Sequence, residues 1–223
     1  MDAAEVLDIT LRTLQVGVLA VAAILVPGIA VGWLLARRAF RGRALLQTVL
    51  CLPMVLPPVA VGLLLLHLLA RGSVLGDAIE RAFGGPILLT PWAAVVAAAV
   101  MSFPLVVLGA QQGFLAVPRR LEQVAATLGA SAWRVFCTVS LPLAARSIAH
   151  GALFAFARAL GEFGATTLVA GHVPGRTETL SLAIYARIEQ FEDRDALLLS
   201  AVSFVLALAI TGTAELCLQR RAR

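Results

Sequence analysis

Five stretches of this chain run for more than twenty residues with almost no charge: Leu14 to Ala36, Ala44 to Ala70, Trp92 to Gln112, Ser147 to Ala170 and Ala196 to Cys217. A soluble surface helix sets an apolar stripe against a solvated face. Crossing a bilayer core of ~30 Å instead takes about 20 consecutive apolar residues. These stretches meet the second pattern and fail the first. The first three contain no ionised side chain, the fourth holds Arg158 and Glu162, and the fifth holds Glu215 near its end. Hydrocarbon offers no partners for backbone N–H and C=O groups, so uninterrupted spans of this length are helices.

The expected fold is an all-α membrane protein, one transmembrane domain over residues 1–223 with about five spans at 14–36, 44–70, 92–112, 147–170 and 196–217. Pro53, Pro57 and Pro58 make the second a kinked or partly re-entrant segment, which leaves the count at five or six. Composition agrees: 60% of residues are hydrophobic and 14% charged, against roughly 45–50% apolar in soluble domains.

All 18 basic residues are arginine. With five spans, residues 37–43, 113–146 and 218–223 fall on one side and hold eleven arginines with Glu122 as the single acid. The opposite segments, 1–13, 71–91 and 171–195, hold six arginines against ten acids. The positive-inside rule then places the N-terminus outside and the C-terminus in the cytoplasm. The basic balance reports topology, and no soluble basic domain supports nucleic-acid binding. Asp2, Glu5 and Asp8 precede the first apolar run, where a secretion signal carries positive charge, so that run reads as a retained span. Cys51, Cys137 and Cys217 are odd in number and widely spaced, which indicates neither a disulfide framework nor a metal site.

A chain without lysine cannot contain the P-loop, whose lysine reaches nucleotide phosphates. Catalytic metal and nucleophile motifs are absent as well, so the chain is not expected to be an enzyme and any ATP is hydrolysed elsewhere.

The loop from Pro118 to Pro142 is long for a compact protein and carries helical signals. Pro118 suits a first helical position, and Leu121, Val124, Ala125 and Leu128 form an apolar stripe. Gly129 stops that helix, and Ser131 caps a second short one with Trp133, Val135, Phe136 and Val139, expected to end before Leu141 and Pro142. Two readings fit this pair: a knob that inserts into a partner's groove, or interfacial helices anchored on lipid by Arg119, Arg120 and Trp133.

The spacing resembles the coupling loop of ABC importer permeases, whose usual form is Glu-Ala-Ala, three residues, Gly, nine residues, then Ile-x-Leu-Pro. Here Gly129 is followed by nine residues and then by Val139, Ser140, Leu141 and Pro142. Glu122 lies seven residues before the glycine, while Gln123 and Val124 occupy the usual Glu-Ala positions. The stretches 52–66 and 156–185 are similar to the molybdate and sulfate branch of that family, and the compact five-span layout to its molybdate members. The resemblance implies a type-1 ABC importer permease fold with cytoplasmic coupling helices in a bacterial-type inner membrane. It implies a homodimer, partner ATPases that hold ATP and Mg, and an external binding protein that delivers molybdate or tungstate; sulfate or thiosulfate is the alternative. It also implies ATPase coupling through Glu122, Ala125, Ala126, Leu128, Gly129, Ala130, Arg134, Leu141 and Pro142. A secondary transporter, a channel or a non-transporting membrane subunit are the competing classes, and the inverted repeats of the first are not visible.

Within the fourth span Arg158 and Glu162 lie four apart, close enough to pair on a helix. An intramembrane ionisable residue is a functional candidate, here for an oxyanion pathway; the bland alternative is a structural pair beside Gly161 and Gly164. Thr166 and Thr167 either line that pathway or back-bond to their own helix. His67 and His150 read as structural, and Gly28 with Gly32 as a close helix contact. In the outer segment, Pro174 and Gly175 form a turn, Leu180, Ile184, Ile188 and Phe191 are expected on one helical face, and Asp195 as the cap of the last span.

Overall fold

The computed structural model describes the backbone of residues 1–220 and the side chains up to Thr213, Phe83 excepted. The side chains of Glu215, Cys217 and Arg220, and all of residues 221–223, lie outside what is described. Those described form helices and irregular connections with no strand: α1 (Ala3–Arg37), α2 (Arg43–Val55), α3 (Pro58–Leu69), α4 (Val74–Phe83), α5 (Pro91–Ala116), α6 (Arg119–Thr127), α7 (Ala132–Val135), a π-helical turn (Phe136–Ser140), α8 (Leu141–Leu160), α9 (Gly164–Val169), α10 (Leu180–Glu189) and α11 (Asp193–Arg220). Among the described residues, four helices are long and apolar enough to cross a membrane, and the bent pair α2–α3 makes a fifth span when taken as one.

The centre is a bundle of α1, α5 and α8, with α5 innermost and α11 at the edge: 67% of the apolar window of α5 is buried, against 11% for α11. Between apolar helices in lipid, close backbone approach supplies the packing energy. A Cβ on Gly28 would lie 2.6 Å from Val106 Cγ1, and one on Gly32 2.6 Å from Ala110 Cβ, so this glycine pair seats α1 on α5 within one chain. On the other side α5 meets α8 where Gly109 and Gly151 face each other.

Two spans are broken. Between α2 and α3 the axis turns by 111°. Pro57 and Pro58 lack the N–H groups that would continue the ladder, and Leu56, forced off the helical region by the proline after it, is extended at φ −69°, ψ 146°. The expected fourth span, 147–170, is likewise not one helix. It starts earlier, at Leu141, and α8 ends at Leu160; Gly161 to Phe163 form a break before the six-residue α9. Phe163 sits at φ −129°, ψ −56°, outside helical geometry.

At the end opposite Gly129, the polar first turns of α1 meet α10 and α11. Thr13 Oγ1 accepts from the Leu180 amide at 2.9 Å, and Arg187 bridges Glu5 at 2.6 Å and Glu192 at 2.9 Å. Asp195 is not the cap of α11, which starts at Asp193. Its carboxylate instead accepts from the Met1 ammonium at 3.0 Å, a hydrogen bond and charge that raise the amine's pKa. Nor does Phe191 share a face with α10. That helix ends at Glu189, and Phe191 lies beyond it with φ +59° and 91% exposure. What α10 buries is Leu180, Leu182, Ala183 and Ala186, against neighbouring helices of the same chain.

Candidate functional site

The loop after α5 folds as a helical corner. Pro118 is the N-cap of α6 rather than its first residue. The helix closes with a Schellman motif: the Gly129 amide donates to Ala126 O at 3.0 Å and the Ala130 amide to Ala125 O at 3.1 Å. That motif needs the left-handed region at the residue after the cap, and Gly129 supplies it at φ +85°. Ser131 then caps α7, its Oγ accepting from the Arg134 amide at 3.4 Å.

The second short helix does not end before Leu141 and Pro142. It passes through the π turn directly into α8, giving one helical rod from Ala132 to Leu160. Proline ordinarily interrupts a helix because it lacks an N–H and its ring crowds the preceding turn. Here the wider π turn immediately before it, with the Leu141 amide reaching back to Phe136 O, takes up that mismatch.

A cluster of polar contacts fastens this corner to the bundle. Glu122 Oε1 accepts from Arg37 Nη2 at 2.8 Å and from Ser140 Oγ at 2.6 Å. Arg37, the last residue of α1, also donates to Val117 O at 3.0 Å. One carboxylate thereby ties α6, the end of α1 and the π turn together. Phe136 fills the space beneath, with ring centroids 6.0 Å from Trp33, 5.9 Å from Phe114 and 5.5 Å from Trp133.

The outer surface of the corner is uncovered and mixes large apolar side chains with the exposed Arg119, Arg120 and Arg134. Leu128 is 83% exposed and Trp133 73%, with Leu121 and Val124 about half exposed. Ala125 and Ala130 are half-buried, while Ala126, Gly129, Arg134 and Pro142 are open to the surface. Leu121, Val124 and Leu128 of the α6 stripe are therefore left uncovered by their own chain, as either a docking knob or a helix pair lying on lipid requires.

The second candidate region is the break after α8. Arg158 Nη1 lies 2.6 Å from Glu162 Oε2, and Glu162 Oε1 accepts from the Ala165 amide at 2.9 Å, holding the start of α9. The Glu162 side chain is 1% exposed and that of Arg158 33%. Thr167 Oγ1 donates to Phe163 O at 2.7 Å and Thr166 is buried at 2%. This break touches the other one: a Cβ on Gly164 would meet Pro58 Cβ at 2.8 Å, and one on Gly62 would meet Ala165 Cα at 2.7 Å. Sequence reading did not find this juxtaposition, nor the Arg37–Glu122 tie, because each joins residues distant in the chain.

Residues 28–220 match the family described as binding-protein-dependent transport system inner membrane component. The chain belongs to that family. This permease is 48% identical to the molybdenum transport system permease protein ModB of Escherichia coli (strain K12) over 179 residues, 80% of this chain and 78% of that one. To the sulfate transport system permease protein CysT of the same strain it is 33% identical over 183 residues, 82% of this chain and 66% of that one. Its fold matches a bacterial ABC transporter involved in the import of the acidic polysaccharide alginate, with TM-score 0.76 and 16% identity, over all of this chain and 82% of that one. The permease is accordingly the membrane subunit of an ABC importer.

Proposed function

We propose that this permease carries molybdate, or the closely similar tungstate, across the cytoplasmic membrane. The observation that carries this reading is the gap between 48% identity to a molybdenum permease and 33% to a sulfate permease over nearly equal lengths. Two copies of the chain form the pathway. Each offers its Gly129 knob to one cytoplasmic ATPase, which holds ATP and Mg, through Glu122, Ala125, Ala126, Leu128, Gly129, Ala130, Arg134, Leu141 and Pro142. The arginine asymmetry supports a cytoplasmic location for that knob and for the C-terminus, with the N-terminus outside. A binding protein delivers the oxyanion to the opposite end. Closure of the paired ATPases displaces the knobs, and the rods beginning at Ala132 convey that displacement into the membrane.

Reconstitution with the cognate ATPase and binding protein in liposomes tests this. Molybdate-loaded binding protein is expected to stimulate hydrolysis and uptake well above sulfate. Equal or greater stimulation by sulfate would transfer the assignment to the sulfate branch, and copurification with no ATPase would overturn it.

A further inference from the structure

Arg158 and Glu162 form an unequal pair. The carboxylate is 1% exposed and anchored on the Ala165 amide, whereas a third of the arginine side chain is open. Their neighbour Ala159 packs on Ala20, Val95 and Ala98, so the pair lies within the apolar depth of the spans, toward the end opposite Gly129. A guanidinium at that depth is costly against lipid and faces a wet path or a protein surface. The contact with Glu162 runs through Nη1, and a guanidinium carries five donors, so others remain to face outward. Around the pair two discontinuous spans meet, through Gly164 on Pro58 and Gly62 on Ala165. Discontinuous helices in contact mark the solute sites of several transporter folds.

We infer that the open side of Arg158 is a transit contact for a tetrahedral dianion, and that Glu162 is the fixed counter-charge that keeps the contact weak. An arginine alone at this depth would trap a dianion. With a carboxylate 2.6 Å away the pair is close to neutral, so the guanidinium offers directional N–H donors without a deep electrostatic well. Conduction requires that a site be attractive enough to enter and weak enough to leave. The counter-charge itself is fixed in place, because Glu162 Oε1 is held by the Ala165 amide while Oε2 makes the ion pair.

This rests on the importer reading above, and the experiment separates the two. Complete importers bearing wild type, R158Q, E162Q and R158Q/E162Q are reconstituted, and molybdate uptake is measured beside copurification of the ATPase. Molybdate binding to each purified permease is measured by equilibrium dialysis. E162Q retains an oxygen for the Ala165 amide but unmasks the arginine, and is expected to bind molybdate about tenfold tighter, ~1.4 kcal/mol, while turning over more slowly. The double variant removes both charges, so it is expected to assemble yet lose at least about nine-tenths of uptake. A purely structural ion pair predicts the reverse: each single variant is impaired and the neutral double variant is restored. Wild-type uptake by the double variant, or binding by E162Q no tighter than wild type, would overturn the inference. Absence of oxyanion uptake by the wild type would overturn the importer reading itself.

Discussion

Arg37 and Glu122, separated by 85 residues in sequence, meet at 2.8 Å where the last turn of the first helix reaches the protruding loop. The Arg37 side chain is only 9% exposed, so removing Glu122 leaves a nearly buried charge with the Val117 carbonyl but no counter-ion. E122A is expected to destabilise the detergent-solubilised permease by about 1–3 kcal/mol. E122Q, whose amide oxygen still accepts from Arg37 and Ser140, is expected to lose less. Melting curves for the two variants check this, and a melt of E122A indistinguishable from wild type would refute the tie.

Gly62 offers a second test, because a methyl group there would press on the backbone of Ala165 at 2.7 Å. Backbone cannot rotate aside as a side chain can, so G62A is expected to force α3 from α9 and cost about 1–3 kcal/mol. At Gly161 a methyl group would meet nothing within 4 Å, and G161A is expected to stay near wild type. Reversed stabilities for the pair would contradict the contact between the broken spans.

Leu128 is 83% exposed and packs on little of its own chain. L128E is therefore expected to leave the permease's melting temperature unchanged while weakening ATPase association. An anchor at the centre of such an interface contributes about 2 kcal/mol or more, roughly 30-fold in affinity. Titration of the ATPase onto permease in nanodiscs reads the effect. Unaltered affinity would place the docking surface elsewhere.

At Gly129 the backbone has φ +85°, and a methyl group there would meet no heavy atom within 4 Å. The cost of G129A is thus conformational, about 1–2 kcal/mol, and G129N, a residue that tolerates the left-handed region, is expected to recover part of it. Limited proteolysis of the loop in the three proteins provides the comparison. Equal cleavage in all three would argue against the Schellman closure.

The five apolar runs were legible because lipid dictates their length, and the corner of the loop because its signals are local: Gly129 stops one helix and Ser131 starts the next within three residues. Local signals also misled. Pro142 reads as a terminator, yet the π turn before it lets the helix continue, and the widened turn has no sequence signature comparable to a cap. The bend at Pro57 was visible as consecutive prolines, whereas the break at Gly161 was visible only as two glycines within an apolar run. The side of Arg158 that remains open depends on how α8 is rotated against α1 and α5, which distant glycine contacts decide.

The unbroken helix from Ala132 to Leu160 joins the exposed knob to the threshold of the second break. Its 29 residues reach about 43 Å at a rise of 1.5 Å per residue. Such a strut has no joint in which a push at one end can be absorbed, apart from whatever the π turn yields. Under the proposed coupling, a push on the knob reaches the second break by way of Phe136–Ser140, where the rod is wound more widely.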